Sequence, residues 1–167
     1  ALDDPADCTP LAETVAALDE LVQAGKIRAY GLSNETPWGA MAHLRESAHS
    51  GHTRAVSIQN PYNLLNRSYE VGLAEVSLRE NIGLLAYSPL AFGILTGKYR
   101  RKPWQPEWRI ARFERFTRYT KPQAFAAVER YAAVAEQAGL SLTQMALAFV
   151  NSRPFVTANI IGATNLD

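Results

Sequence analysis

Residues 30–38 read YGLSNETPW, and this stretch changes from a strand pattern to a helix pattern within three residues. The apolar run that ends at Leu32 is typical of a buried strand. A polar Ser-Asn-Glu turn interrupts it. Thr36 followed by Pro37 is typical of a helix N-terminus, because proline loses nothing where the backbone N–H has no helical partner. The stretch therefore predicts a strand that a short polar turn joins directly to a helix.

The same alternation continues on both sides of this stretch. Towards the N-terminus, apolar residues at helical spacing predict a helix that Thr9 caps, that begins at Pro10 and that Gly25 closes. The predicted strands are residues 27–32, 54–59, 84–87 and 156–161. The other predicted helices are residues 37–50, 68–80, 122–138 and 142–152, the last opened by a capping box at 141–144. Regular alternation of this kind indicates an α/β fold with a parallel sheet.

Composition narrows the class of protein. The chain has 167 residues, 47% of them apolar and 20% charged, with a net charge of +1, as in a globular domain. We expect residues 1–167 to form one domain segment, and the single cysteine, Cys8, favours a reducing cytoplasm. No apolar run predicts a membrane span, and the first ten residues lack an initiator Met and a signal-peptide pattern. We expect the chain to be processed or part of a longer protein.

Polar side chains follow the predicted strands where those strands end. In parallel α/β folds ligands bind at the carboxyl ends of the strands, although such residues also simply cap the next helix. The side-chain amides of Asn34 and Gln59 offer donors and acceptors that complement another carboxamide. Tyr87 offers an aromatic face for stacking on a flat heterocycle, or is a core tyrosine with a satisfied hydroxyl.

The alternation of strands and helices is interrupted by residues 91–121, a long basic segment with interspersed aromatic residues. Gly93, Gly97 and Lys98 at its start suggest backbone N–H groups and a cation near phosphate, but the Walker A and G-x-G-x-x-G patterns are absent. The segment has three readings: a clamp over a phosphorylated cofactor, a solvated loop, or a surface that stacks nucleic-acid bases. We rank the cofactor clamp first because it adjoins the polar strand ends, and we expect neither a metal site nor a catalytic motif.

Six segments of the chain resemble the second half of an aldo-keto reductase. They occur in the family's order and spacing. They resemble the Tas-like bacterial branch of the family and, more distantly, potassium-channel β-subunits. The segments are AGKIRAYGLSNETPW (24–38), VSIQNPYNLLNR (56–67), LLAYSPLAFGILTGKY (84–99), RFTRY (115–119), QMALAFVNSRPFV (144–156) and IIGAT (160–164). The resemblance implies a (β/α)8 TIM barrel of which this chain holds strands five to eight.

The resemblance also implies a cofactor, NADP, and a role for each matching residue. A Ser-Asn pair and a glutamine bind the nicotinamide carboxamide, an aromatic residue stacks on its ring, and the loop 88–98 lines the pyrophosphate. Arg109 corresponds by position to a contact with an adenosine phosphate, and the turn 162–165 to a further phosphate contact. The residues so implied are Ser33, Asn34, Gln59, Tyr87, Ser88, Pro89, Leu90, Gly93, Leu95, Gly97, Lys98, Arg109, Gly162 and Thr164.

The family's catalytic aspartate, tyrosine, lysine and histidine belong to the first half of the barrel and have no counterpart here. The resemblance therefore implies a fragment of an enzyme that reduces aldehydes or ketones, inactive by itself. Half a barrel leaves two open sheet edges, so we expect it to pair with the missing N-terminal half or with a second copy. A non-catalytic, cofactor-binding regulatory module of the same fold is the alternative. We expect no nucleic acid and no membrane among the partners.

Overall fold

A computed structural model describes residues 8–162. Four parallel strands form one sheet in the order β1-β2-β3-β4. Their bounds are Gly31–Ser33 for β1, Ser57–Pro61 for β2, Gly83–Tyr87 for β3 and Val156–Ile160 for β4. The prediction of an α/β fold with a parallel sheet is confirmed.

Helices connect the strands. Their bounds are Leu11–Gln23 for α1, Pro37–Ser50 for α2, Leu73–Glu80 for α3, Arg109–Arg112 for α4, Pro122–Gln137 for α5 and Leu142–Asn151 for α6. Short 3-10 helices occupy Ser68–Val71, Ala91–Thr96 and Lys98–Arg100. Within residues 8–162, none of the helices combines the length and the apolar character that crossing a bilayer requires.

Two predicted caps are confirmed by their hydrogen bonds. The Thr36 hydroxyl accepts from the Gly39 N–H at 3.1 Å, and α2 ends at Gly51, which has a φ of 69°. The capping box at the start of α6 forms in both directions, between Ser141 and Gln144. The predicted start of α1 was wrong by one residue, since Pro10 is the N-cap and no side chain caps this helix.

Three other boundaries differ from the prediction. The first two strands begin later than expected, at Gly31 and Ser57, because the residues just before them share a single backbone bond, from the Val56 N–H to the Tyr30 carbonyl at 2.9 Å, and one bond does not make a ladder. The predicted helix 68–80 is broken at Gly72, whose backbone, with a φ of −159° and a ψ of −41°, is not helical. A Cβ atom there would lie only 2.8 Å from Pro37 Cγ, so the close approach to α2 requires glycine.

Within the described residues, helices cover one face of the sheet and leave the other face open. Leu32, Ile58 and Leu84 point to the covered face and are buried in the main core. Because side chains alternate along a strand, Ser33, Gln59 and Tyr87 point to the opposite face. The core therefore lies on one side of the sheet, and the polar side chains at the strand ends face the other side.

Hydrogen bonds to the Asp19 side chain join α1 to the turn before β2, at the amino-terminal end of the sheet. Asp19 accepts from the Thr53 N–H at 2.7 Å and from its hydroxyl at 2.6 Å, and His52 Nδ1 lies 3.2 Å from its other oxygen. The hydrogen bonds from Thr53 lower the pKa of Asp19 to about 2. A carboxylate with a lowered pKa stabilises the fold most above its ordinary pKa of about 3.9.

We expect Asp19→Asn to lower the unfolding temperature at neutral pH, because the amide cannot accept both bonds as strongly as the carboxylate. The difference from wild type should shrink as the pH falls from about 4 towards about 2, where Asp19 takes up its proton. Thermal unfolding between pH 7 and pH 3 checks this, with the exposed neighbour Glu20→Gln as control. A difference that stays constant with pH would contradict it.

Candidate functional site

Two strand tips meet across the end of β2. After β1 the chain turns at Asn34, with a φ of 54°, and its N–H donates to the Gln59 carbonyl at 3.0 Å. After β3 the chain turns at Ser88, with a φ of 55°. The Tyr87 hydroxyl then donates to Asn34 Oδ1 at 2.6 Å. Side chains 53 residues apart in sequence are thus joined directly at the carboxyl ends of the strands.

Gln59 and Ser33 complete this group. The register pairs Ser33 with Gln59 and Gln59 with Leu85, so one row crosses three strands. The Gln59 residue is exposed, and the Ser33 hydroxyl accepts from Asn34 Nδ2 at 3.3 Å. The structure therefore brings Ser33, Asn34, Gln59 and Tyr87 together on the face that carries no helices.

A hollow of about 370 Å³ lies beside the β3 tip. Two cations, Lys98 and Arg109, line it, together with the turn that follows Tyr87. Its lining residues are Ser88, Pro89, Leu90, Phe92, Gly93, Lys98, Arg109, Ile160, Ile161 and Gly162. Seven residues predicted for the cofactor site belong to this lining. Paired cations at a hollow attract an anion such as a phosphate group.

Three predicted site residues differ from expectation. Leu95 is fully buried in a core cluster and lies outside the hollow. The N–H groups of Gly93 and Gly97 already donate to the Leu90 and Ile94 carbonyls, at 2.8 and 3.1 Å, so the turn itself uses the donors expected to face phosphate. Thr164, and the turn 163–165 with it, lies outside the described residues.

The turn after β3 holds an unusual amount of left-handed backbone. Besides Ser88, Ala91 and Phe92 have φ values of 49° and 58°. Left-handed geometry costs roughly 1 to 2 kcal/mol at a residue with a Cβ atom, so neighbouring contacts must hold it. The Phe92 ring packs between the Phe116 and Tyr119 rings, at centroid distances of 4.9 and 5.0 Å.

The basic segment uses most of its aromatic rings for packing. Tyr99 is buried, and the Trp104 and Trp108 rings pack edge-on against it at 5.3 Å. The Arg109 guanidinium lies over the Phe116 ring, 5.6 Å from the ring centroid. These contacts oppose the reading as a base-stacking surface and favour a structured wall beside the hollow, which contains α4 and two of the short 3-10 helices.

Three further polar residues of this site were missed by sequence reasoning. Asn60 and Asn63, just after Gln59, hydrogen-bond to the chain that follows each neighbouring strand. Arg118 lies beside the Tyr87 and Tyr119 hydroxyls, and the Tyr87 hydroxyl in particular raises its pKa. The asparagines of the motif QNPYN were a usable signal, whereas nothing local marks Arg118 among its basic neighbours. In residues 8–162 no group of three or more His, Cys, Asp or Glu could hold a metal ion.

Comparison with known proteins identifies a family. The sequence model described as "Aldo/keto reductase family" matches residues 1–167. The chain is 50% identical over 164 residues to "Protein tas" of Escherichia coli (strain K12), a match that covers 98% of this chain and 47% of that protein.

Two other relatives carry reductase names. An "Aldo-keto reductase" of Babesia bovis is 40% identical over 162 residues, 93% of this chain and 57% of that protein. "L-glyceraldehyde 3-phosphate reductase" of E. coli K12 is 32% identical over 165 residues, 95% of this chain and 47% of that protein. The chain thus spans about half the length of the relatives it matches.

We expect Phe92→Ala to loosen the turn after β3, because the left-handed backbone would lose the ring contacts that hold it. The free energy of unfolding should fall by about 2 kcal/mol, less than for a fully buried phenylalanine. Trypsin should also cut sooner at the arginines of the basic segment.

Phe113→Ala is the matched control, since that residue is 41% exposed in the same segment and its ring packs against Phe116, at 5.9 Å. Urea unfolding and timed proteolysis give the two measurements. Equal losses in the two variants would show that the Phe92 ring does not hold the turn.

Proposed function

The chain belongs to the aldo/keto reductase family of oxidoreductases, and from this premise we propose that it holds the cofactor site of an NADP-dependent enzyme. The proposed reaction is hydride transfer between a nicotinamide and an aldehyde or ketone. Members of the family typically use NADPH or NADH. The observation that carries the proposal is the meeting of Asn34, Gln59 and Tyr87 at neighbouring strand tips.

The polar groups at the tips fit a nicotinamide. The Tyr87 hydroxyl donates a hydrogen bond to Asn34 Oδ1. This bond fixes the orientation of the Asn34 amide, and its Nδ2 remains a donor. Gln59, on the same face, adds a donor and an acceptor for the same carboxamide. The Tyr87 ring, half-buried at the rim, supplies an apolar face against which a flat ring would stack.

The hollow fits the anionic part of the same cofactor. Lys98 and Arg109 line it, and Gly93 leaves room there, since a Cβ atom on Gly93 would lie 3.2 Å from Lys98 Cε. In the proposed reaction the cofactor supplies the hydride donor. The residues of this chain would bind it, fix the orientation of its ring through Asn34, Gln59 and Tyr87, and balance the charge of its pyrophosphate through Lys98 and that of the extra phosphate of NADP through Arg109.

We assign no catalytic residue to this chain. The Tyr87 hydroxyl is committed to Asn34 and lies beside Arg118, so its role in the proposal is orientation. Lys98 lies 5.3 Å from the Tyr99 and Trp108 rings, on the wall of the hollow. The proton donor of the reaction would come from another part of the protein.

We also propose that the protein works in the cytoplasm, with which its single thiol, Cys8, is consistent.

We further propose that the chain forms the C-terminal half, strands five to eight, of a closed barrel. The helix-free face carries exposed or half-buried side chains such as Gln59, Leu85 and Ile160, and β1 and β4 are the edges of the described sheet. An uncovered apolar face with open edges favours association. The partner would be the first half of the barrel, with a second copy of this chain as the substitute when that half is lacking.

We expect the complete protein to bind NADPH more tightly than NADH, since Arg109 offers a charge-assisted bond to the extra phosphate. Arg109→Ala should weaken NADPH binding by about tenfold and change NADH binding by less than about twofold. Fluorescence titration with both nucleotides measures this. Arg130→Ala on α5, exposed and outside the hollow, is the control. Equal wild-type affinity for the two nucleotides would remove the NADP preference.

We also expect Gln59→Ala in the complete protein to slow hydride transfer by roughly 10- to 100-fold, since a misplaced ring loses its reactive geometry. Stopped-flow oxidation of NADPH with an aldehyde measures the rate. Gln123→Ala, an exposed glutamine on α5, is the matched control and should leave the rate unchanged. Unchanged transfer in Gln59→Ala would contradict the assigned role. Nucleotide binding without any turnover in the wild type would favour the non-catalytic module.

A further inference from the structure

Asn60, at the end of β2, holds the turn that follows β1. Its Oδ1 accepts from the Glu35 N–H at 3.1 Å, and its Nδ2 donates to the Glu35 carbonyl at 3.0 Å. Both backbone groups of Glu35 are therefore bound by one side chain, as a neighbouring strand would bind them. Glu35 directly follows Asn34, the left-handed residue whose side chain meets Tyr87.

Asn63, three residues further along, holds the turn that follows β3. Its side chain is completely buried, and Nδ2 donates to the Ser88 carbonyl at 2.9 Å and to the Tyr119 hydroxyl at 3.1 Å. Its Oδ1 accepts from the Leu65 N–H at 2.8 Å. Ser88 directly follows Tyr87 and is itself left-handed. Asn63 also ties the end of the basic segment to the same point through Tyr119.

The two asparagines act on opposite neighbours of one strand. β2 lies between β1 and β3, and each asparagine binds the peptide next to a residue of the candidate site. Both peptides adjoin left-handed backbone at a residue with a Cβ atom, a conformation that persists only where surrounding contacts impose it. Removal of either side chain would leave backbone groups without the partner that fixes them.

We propose that Asn60 and Asn63 are positioning residues of the candidate cofactor site: they fix the two strand-tip turns so that Asn34 and Tyr87 meet over the end of β2. This assignment rests on the proposed function for its consequence, because the pair they align would orient the nicotinamide. Asn60 acts through Asn34, and Asn63 acts through Ser88 and Tyr87. Neither side chain needs to touch the cofactor.

The alternative is that both asparagines only stabilise the fold. A double-mutant cycle separates the two accounts, because residues that act through one another have non-additive effects. In the complete protein, Asn60→Ala should slow hydride transfer from NADPH about tenfold, a smaller effect than that of a directly binding residue. In an Asn34→Ala background the same substitution should change the rate by less than about twofold.

Asn66→Ala is the matched control. That side chain accepts from the Ser68 N–H and hydroxyl, at 3.2 and 2.8 Å, within the same loop. It should lower the unfolding temperature without changing the rate. Asn63→Ala should slow transfer in wild type but not in a Tyr87→Ala background, and if its burial prevents folding, the Asn60 cycle decides alone.

Additive effects in the Asn60 cycle would overturn the positioning role. A wild-type protein that binds neither NADPH nor NADH would instead overturn the proposed function. In that case a crystal structure of Asn60→Ala still decides the inference. The bond between Tyr87 and Asn34 should be lost in it, and its survival unchanged would contradict the proposal.

Discussion

In-register parallel pairing is the constraint on which the rest of the structure depends. Ser33, Gln59 and Leu85 lie in one row across three strands, and Pro61 and Tyr87 pair two residues beyond that row, so the strand ends and the residues that follow them share one rim. A shift of one residue in any strand would turn its polar tip into the core and its core residue outward. The buried row of Leu32, Ile58 and Leu84 opposes such a shift, because each would lose its place in the core.

Given this register, the site depends on irregular backbone that the surrounding fold holds in place. Asn34 and Ser88 are left-handed. Asn60 binds Glu35, the residue after Asn34, and Asn63 binds the carbonyl of Ser88 itself. The Phe92 ring, wedged between two other aromatic rings, holds the rest of the turn. The strain therefore lies next to the residues proposed to bind the cofactor, as expected where precise placement serves function.

Sequence reasoning predicted the elements that local chemistry determines and missed those that depend on distant contacts. Thr36-Pro37 and the Ser141 capping box were predictable because a cap involves only neighbours along the chain. The break at Gly72 was not, since the contact that requires glycine there is with Pro37, 35 residues away in sequence. Likewise Ser33, Asn34, Gln59 and Tyr87 were predicted to converge because they follow strands. The side-chain hydrogen bonds of Asn60 and Asn63 were not predictable, because they reach turns that only the folded sheet brings close to β2. The backbone N–H groups of Gly93 and Gly97 proved to be used within their own turn.

We propose that the tips of β1, β2 and β3 together hold a nicotinamide. A crystal structure of the complete protein with NADP⁺ would test this. The carboxamide should lie within hydrogen-bond distance of the Asn34 and Gln59 side chains, about 2.7 to 3.2 Å, with the ring stacked on Tyr87. A nicotinamide bound elsewhere, with these three side chains facing solvent, would contradict it.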